Sequence, residues 1–240
     1  MQFDNALAVA LTCGVFGLVI LIVLWPGERQ GTRLLTKWGL PEATPDQVST
    51  AVRYLRRRRF WYPWLFIGLP LIPHAGDLQD SNGGGAIVVT LLVGALIAEL
   101  FAQRPARTAR REATLTTRRM VDFVPPWALV VNLLAMLAAV AHLALLGQWT
   151  MFGITLAADA AAWLVAMLAV RRPAEGDPVV DLALRCRSAR VAIGLGAGLC
   201  AMTGWTAGNL SSLVAFVVTV AAFRAIAAPP GKLPATAAAK

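Results

Sequence analysis

Four ionisable side chains sit where ionisable side chains are costly. Asp159, His142, Glu99 and Arg224 each fall within a long apolar run. Inside a bilayer such groups turn toward protein or water, and they mark proton relays, ion paths or buried pairs. Asp159 lies seven residues into its run, close to mid-membrane at about 1.5 Å per residue. His142 lies in the preceding run, on the other side of the turn "GQWTM". In an antiparallel hairpin their depths differ by about one helical turn, ~5 Å. A His142–Asp159 proton or substrate site is one expectation, and a purely structural hydrogen bond for Asp159 is the other. Glu99 and Arg224 stand near the ends of two runs that cross in the same direction. They share a depth, so either they pair or each extends to the headgroups.

Other chemistry finds little support. Cys13, Cys186, Cys200, His74 and His142 show no C-x-x-C or comparable ligand spacing, so neither a metal nor a cofactor is expected. No H-E-x-x-H, Walker or paired-carboxylate pattern occurs. Ser211 and Ser212, after Asn209, read as a helix cap; a serine nucleophile would need a base within reach. "GLGAG" at 194–198 lies inside an apolar run with no strand before it, which argues against a dinucleotide loop. Gly194 and Gly198 form a G-x-x-x-G, a spacing that lets helix backbones approach closely. No enzymatic activity is expected.

These residues must be positioned by apolar helices. The chain has 240 residues, 58% hydrophobic and 15% charged, where a soluble domain carries about 25% charged residues. About 20 apolar residues cross the hydrocarbon layer, and seven stretches come near that: 6–25, 60–76, 85–101, 127–146, 152–170, 191–207 and 210–228. The first has no basic flank and is too long for a secretion signal, so it reads as a retained span. The second is interrupted by Pro63, Pro70 and Pro73. Prolines are tolerated in spans where neighbours satisfy the freed carbonyls.

Orientation follows from the cations. All 22 lysines and arginines fall in loops 27–59, 102–126 and 171–190, in the tail 229–240, or at their borders. Seven spans with the N-terminus outside and the C-terminus inside put every one on the cytoplasmic side. The expected fold is therefore an all-α polytopic integral membrane protein with a single transmembrane domain, residues 1–228, and a flexible tail. In "RYLRRRRFWYPWLF", Arg56, Arg57, Arg58 and Arg59 would meet anionic lipid headgroups, and Trp61, Tyr62 and Trp64 would form an interfacial aromatic belt. The position of this stretch at a span end argues against nucleic acid, whose basic-aromatic surfaces bear no relation to span ends. Upstream, "TPDQ" at 44–47 starts a helix to about residue 59: Thr44 caps, Pro45 opens the first turn and Gln47 closes a capping box. That helix lies on the inner leaflet or extends the second span.

Two similarities suggest internal repetition. "LIAELFAQRPA" (96–106) matches "LVAMLAVRRPA" (164–174) at six of eleven positions, and "FWYPW" (60–64) shares F-x-x-P-W with "FVPPW" (123–127). If these mark a duplication, the chain is one span followed by three packed hairpins, related by an axis along the membrane normal. Chance likeness between leucine-alanine-rich spans is the alternative.

The "RRPA" motif and the segment 104–128, ending "ATLTTRRMVDFVPPWA", resemble stretches of uncharacterised multi-pass membrane proteins of actinobacteria. The arginine-to-lysine ratio of 19 to 3 fits a GC-rich bacterial genome. The resemblance implies a bacterial plasma-membrane home and carries over no activity, ligand or site residue. The functional expectation is a non-catalytic membrane component, such as a transporter accessory or permease subunit, with a membrane or cytoplasmic protein partner. The alternative is a small secondary transporter, proton-coupled through Asp159.

Overall fold

The computed structural model describes residues 11, 14–15, 17–19, 21–23, 25–68, 84–103, 119–172, 177–204 and 210–230. The structure is all-helical, with no strand among the described residues. Eight α-helices have described bounds: α1 Glu28–Lys37, α2 Pro45–Phe60, α3 Tyr62–Gly68, α4 Gly84–Ala102, α5 Pro126–Leu145, α6 Trp149–Arg171, α7 Pro178–Gly204 and α8 Leu210–Ala227. A 3-10 turn, Met120–Asp122, precedes α5. The described residues between 11 and 23 are also helical. Gly14 in that stretch meets α3 so closely that a Cβ would lie 2.5 Å from Ile67 Cγ1.

Helix α7 is the centre. It packs against α4, α5, α6 and α8, and nearly every residue from Val180 to Ala201 is buried. Small residues make this possible, because Ala and Gly let four neighbours approach one helix. A Cβ on Gly204 would lie 2.5 Å from Ala139 Cβ of α5, and one on Gly194 would lie 3.1 Å from the Phe223 carbonyl of α8. Gly198 has only ordinary contacts, the nearest at 3.7 Å, so close approach is enforced at Gly194 and not at its G-x-x-x-G partner.

Helix ends follow local chemistry. Thr44 Oγ1 accepts from the Gln47 amide at 3.4 Å, while Gln47 Oε1 accepts from the Thr44 amide at 3.0 Å. This is the expected capping box at the start of α2. Helices α1 and α5 end in the same motif. Gly39 (φ 89°) and Gly147 (φ 69°) adopt the left-handed conformation. The next amides, of Leu40 and Gln148, bond to the carbonyls of Leu35 and Leu143, both at 2.9 Å. Glycine is favoured there because a Cβ would clash. The second of these motifs makes the tight α5–α6 turn expected from "GQWTM".

Among the described residues, two helices, α5 and α6, are long and apolar enough to cross a membrane, judged by length and composition. Much of α5 faces outward: Trp127, Val130, Leu133, Leu134 and Leu137 are all exposed. Apolar surface of this extent marks contact with lipid or protein. Helices α4, α5, α6 and α8 fall where four of the expected spans lie. Part of the expectation falls outside the described residues, and two expected loops carry more helix than foreseen. The stretch 60–76 is described only to Gly68, where it holds the short α3, and the rest lies outside the described residues. So do much of 6–25, most of the loop 102–126 and the tail from 231. The expected loop 171–190 is largely helical, because α7 begins at Pro178. Helix α1 was not expected at all.

Candidate functional site

The expected headgroup arginines do not all face outward. Helix α2 buries Val48, Ala51, Val52, Tyr54 and Leu55, and α1 packs on it through Gly31 and Leu35. The approach is close, since a Cβ on Gly31 would lie 2.7 Å from Val52 Cγ2. The resulting α1–α2 hairpin is tied to the bundle at two places.

The first tie is built on Glu99 of α4, which is fully buried. Its Oε2 lies 3.0 Å from Arg58 Nε and 3.7 Å from Arg187 NH1. The Arg58 approach lacks hydrogen-bond alignment, so this contact is an ion pair without a formed N–H···O bond. Oε1 accepts hydrogen bonds from the Tyr54 and Ser188 hydroxyls. The Tyr54 hydroxyl in turn accepts from Arg187, whose guanidinium lies 5.2 Å from the Tyr54 ring centroid. One carboxylate thus joins α2, α4 and α7. Burial pushes the Tyr54 phenol up to about 12, against the opposing pull of Arg187. Burial lowers the Arg58 guanidinium, but Glu99, Tyr62 and Tyr54 nearby together outweigh it and raise it.

The second tie is at the start of α7. Asp177 Oδ1 accepts the Val179 and Val180 amides, each at 3.0 Å, which is N-capping by a carboxylate ahead of Pro178. Its other oxygen accepts from Gln47 Nε2 of α2 at 3.0 Å. Burial raises the Asp177 carboxyl, but these three donors together hold it below its ordinary value.

Beside these lies a structural pair network. Asp181 binds Arg185 at 2.6 Å and Arg172 at 2.9 Å. Arg185 then donates to the carbonyls of Val170 (3.1 Å) and Arg172 (2.7 Å), which end α6. These contacts explain how a segment as polar as "DLALRCRSAR" is buried as helix. Cys186 within it is wholly buried, and burial pushes its thiol up to about 12, the state of an unreactive core cysteine.

Asp159 of α6 is 4% exposed, and its partner is not the expected one. Asn132 Nδ2 of α5 donates to Asp159 Oδ1 at 3.0 Å and to the Ile193 carbonyl of α7 at 3.1 Å. Trp163 Nε1 donates to Asn132 Oδ1 at 2.8 Å. Gly196 closes the space, because a Cβ there would lie 2.7 Å from Asp159 Oδ1. His142 is half-buried on α5 and takes no part in these bonds. Asn132 sits ten residues before it, and this amide within an apolar run was the missed signal.

The other expected residues separate. Arg224 is exposed on α8 and does not pair with Glu99, whose partners are Arg58 and Arg187. Arg56 donates to the Pro26 carbonyl at 3.1 Å and lies 5.7 Å from the Trp25 ring centroid. Trp61 stacks on Phe101 with centroids 4.3 Å apart, and the Tyr62 ring lies 6.0 Å from the Arg58 guanidinium. Trp64 is 58% exposed. Compared with protein-family models, curated proteins and solved structures, the chain matches none.

Proposed function

We propose that this chain is a non-catalytic multi-pass component of a bacterial plasma membrane, crossing it seven times, which docks a protein partner on its cytoplasmic α1–α2 hairpin. The observation that carries the reading is the outer face of α1. Arg29, Arg33 and Lys37 recur at i, i+4 and i+8 on one exposed face, around a shallow, open groove on this one helix that they line with Glu28, Thr32 and Thr36. A folded, doubly tied hairpin with one basic stripe suits an acidic helix of a membrane or cytoplasmic partner, because complementary charge sets register and encounter rate. The outward apolar surface of α5 and the placing of cations at one side support the membrane reading. Purification of tagged chain in mild detergent tests docking. Charge reversal at Arg29, Arg33 and Lys37 is expected to remove the copurifying partner, and repeated recovery of the wild-type chain alone contradicts the reading.

The second reading, proton-coupled transport through Asp159, draws on a carboxylate almost wholly buried in an apolar helix. Its hydrogen bond to Asn132 and the close wall at Gly196 favour a structural role. Reconstituted vesicles separate the two: flux driven by a proton gradient and abolished by Asp159→Asn favours transport, while an unchanged flux in that variant excludes it.

A further inference from the structure

The cluster around Glu99 carries more positive charge than Glu99 neutralises. Arg58 and Arg187 share its Oε2. Arg59 follows Arg58 on α2 and is near enough to feel both. Burial first, then the like charges of Arg58 and Arg187, hold its guanidinium below its ordinary value. Arg59 NH1 is enclosed and meets no acceptor among the described residues. An enclosed guanidinium N–H without an acceptor is unfavourable, and an oxyanion removes that cost. Access exists, since the side chains of Arg58 and Arg187 keep 17% and 11% of their exposure and Arg59 is partly exposed.

We propose that Arg58, Arg59 and Arg187 form a binding site for a phosphate oxyanion, with Glu99 as the fixed counter-charge that holds two of the three guanidiniums in place. Three cations against one carboxylate leave an excess of two charges, which matches a phosphate group better than a second carboxylate. The planar guanidinium fork fits phosphate oxygens geometrically. The aromatic residues on the next turn, with Trp64 exposed, place the site beside an apolar surface. The phosphate therefore comes either from a lipid headgroup or from a phosphorylated solute. This site is separate from the α1 groove, so its failure leaves the docking reading standing.

The test uses the full chain. Inorganic phosphate is titrated calorimetrically into protein in neutral detergent. In parallel, the protein is placed in nanodiscs of phosphatidylcholine with or without phosphatidic acid, and retained lipid is measured by native mass spectrometry. Binding in the first arm identifies a solute source and binding in the second a headgroup; either supports the site. Arg59→Gln is expected to weaken binding about tenfold, the loss of one charge-assisted hydrogen bond. The exposed Arg53→Gln on the same helix leaves it unchanged. No binding above blank in either arm, or equal weakening by both variants, overturns the proposal. An independent measurement needs no variant. Phosphate or phosphatidic acid is expected to protect Arg58, Arg59 and Arg187 of the wild type from phenylglyoxal, and protection spread evenly over Arg29, Arg33 and Arg53 also overturns it.

Discussion

Removing the charge of Glu99 tests the keystone of the fold. In Glu99→Gln the amide oxygen can still accept from Tyr54 and Ser188, but Arg58 and Arg187 lose their counter-ion. Breaking a buried ion pair by deleting one partner costs about 3–5 kcal/mol. Glu99 is fully buried, whereas Arg58 and Arg187 keep 17% and 11% exposure, so water recovers part of the loss. The expected cost is therefore about 3 kcal/mol. Glu99→Ala also strands the two hydroxyls, adding about 1 kcal/mol for each hydrogen bond. Equilibrium unfolding in mixed micelles, followed by circular dichroism as the denaturing detergent fraction rises, measures both. The double variant Glu99→Gln with Arg58→Gln is expected to lose at least about 1 kcal/mol less than the sum of the single losses, as contacting residues do. A loss under about 1 kcal/mol for Glu99→Gln, or strict additivity, would refute the reasoning, because surface pairs behave that way.

Two further outcomes follow from the packing. Gly196→Ala places a methyl 2.7 Å from Asp159 Oδ1 and 2.9 Å from Ala162 Cβ; overpacking of this kind costs about 1–3 kcal/mol. Gly198→Ala, whose nearest contact would be 3.7 Å, is expected to be neutral or slightly stabilising, and the same unfolding assay checks both. The Gln47–Asp177 tie is expected to weaken in acid. The folded Asp177 carboxyl titrates below its ordinary 3.8, so its contribution is fully present above that value and fades as pH falls through the folded value. Protection of the Val179 and Val180 amides from hydrogen exchange, measured against their intrinsic rates, should fall as pH falls from about 5 to about 3. Asp177→Asn, which still caps but does not titrate, should flatten the profile; an unchanged profile means another group controls it.

Local signals in the sequence were reliable where one short stretch carries the physics. "TPDQ" states a helix start, and "GQWTM" states a turn, because caps and left-handed glycines act within a few residues. Asp159 was legible as a buried charge, since an apolar run cannot leave a carboxylate unexplained, whereas Glu99, expected to pair with Arg224 or reach the headgroups, is fully buried instead. Their partners were not legible. Tyr54 and Ser188 lie 45 and 89 positions from Glu99, and only the fold brings them there. The depth argument for His142 missed that helix faces matter as much as depth, and Asn132 occupies the right face. Helix α1 was missed although Gly31, Leu35 and Trp38 share its buried face and Gly39 ends it. Residues 178–190 read as a loop because hydropathy counts charges without asking whether Asp181, Arg172 and Arg185 neutralise one another.

The central place of α7 has a consequence for how the protein is made. Synthesis runs from the N-terminus, so α4, α5 and α6 leave the ribosome before the helix against which they rest. Until residues 178–204 arrive, Asn132 lacks the Ile193 carbonyl and Glu99 lacks Arg187 and Ser188. Before then these groups have only some of their partners, Asp159 and Trp163 for Asn132 and Tyr54 and Arg58 for Glu99, and the arrival of α7 completes them.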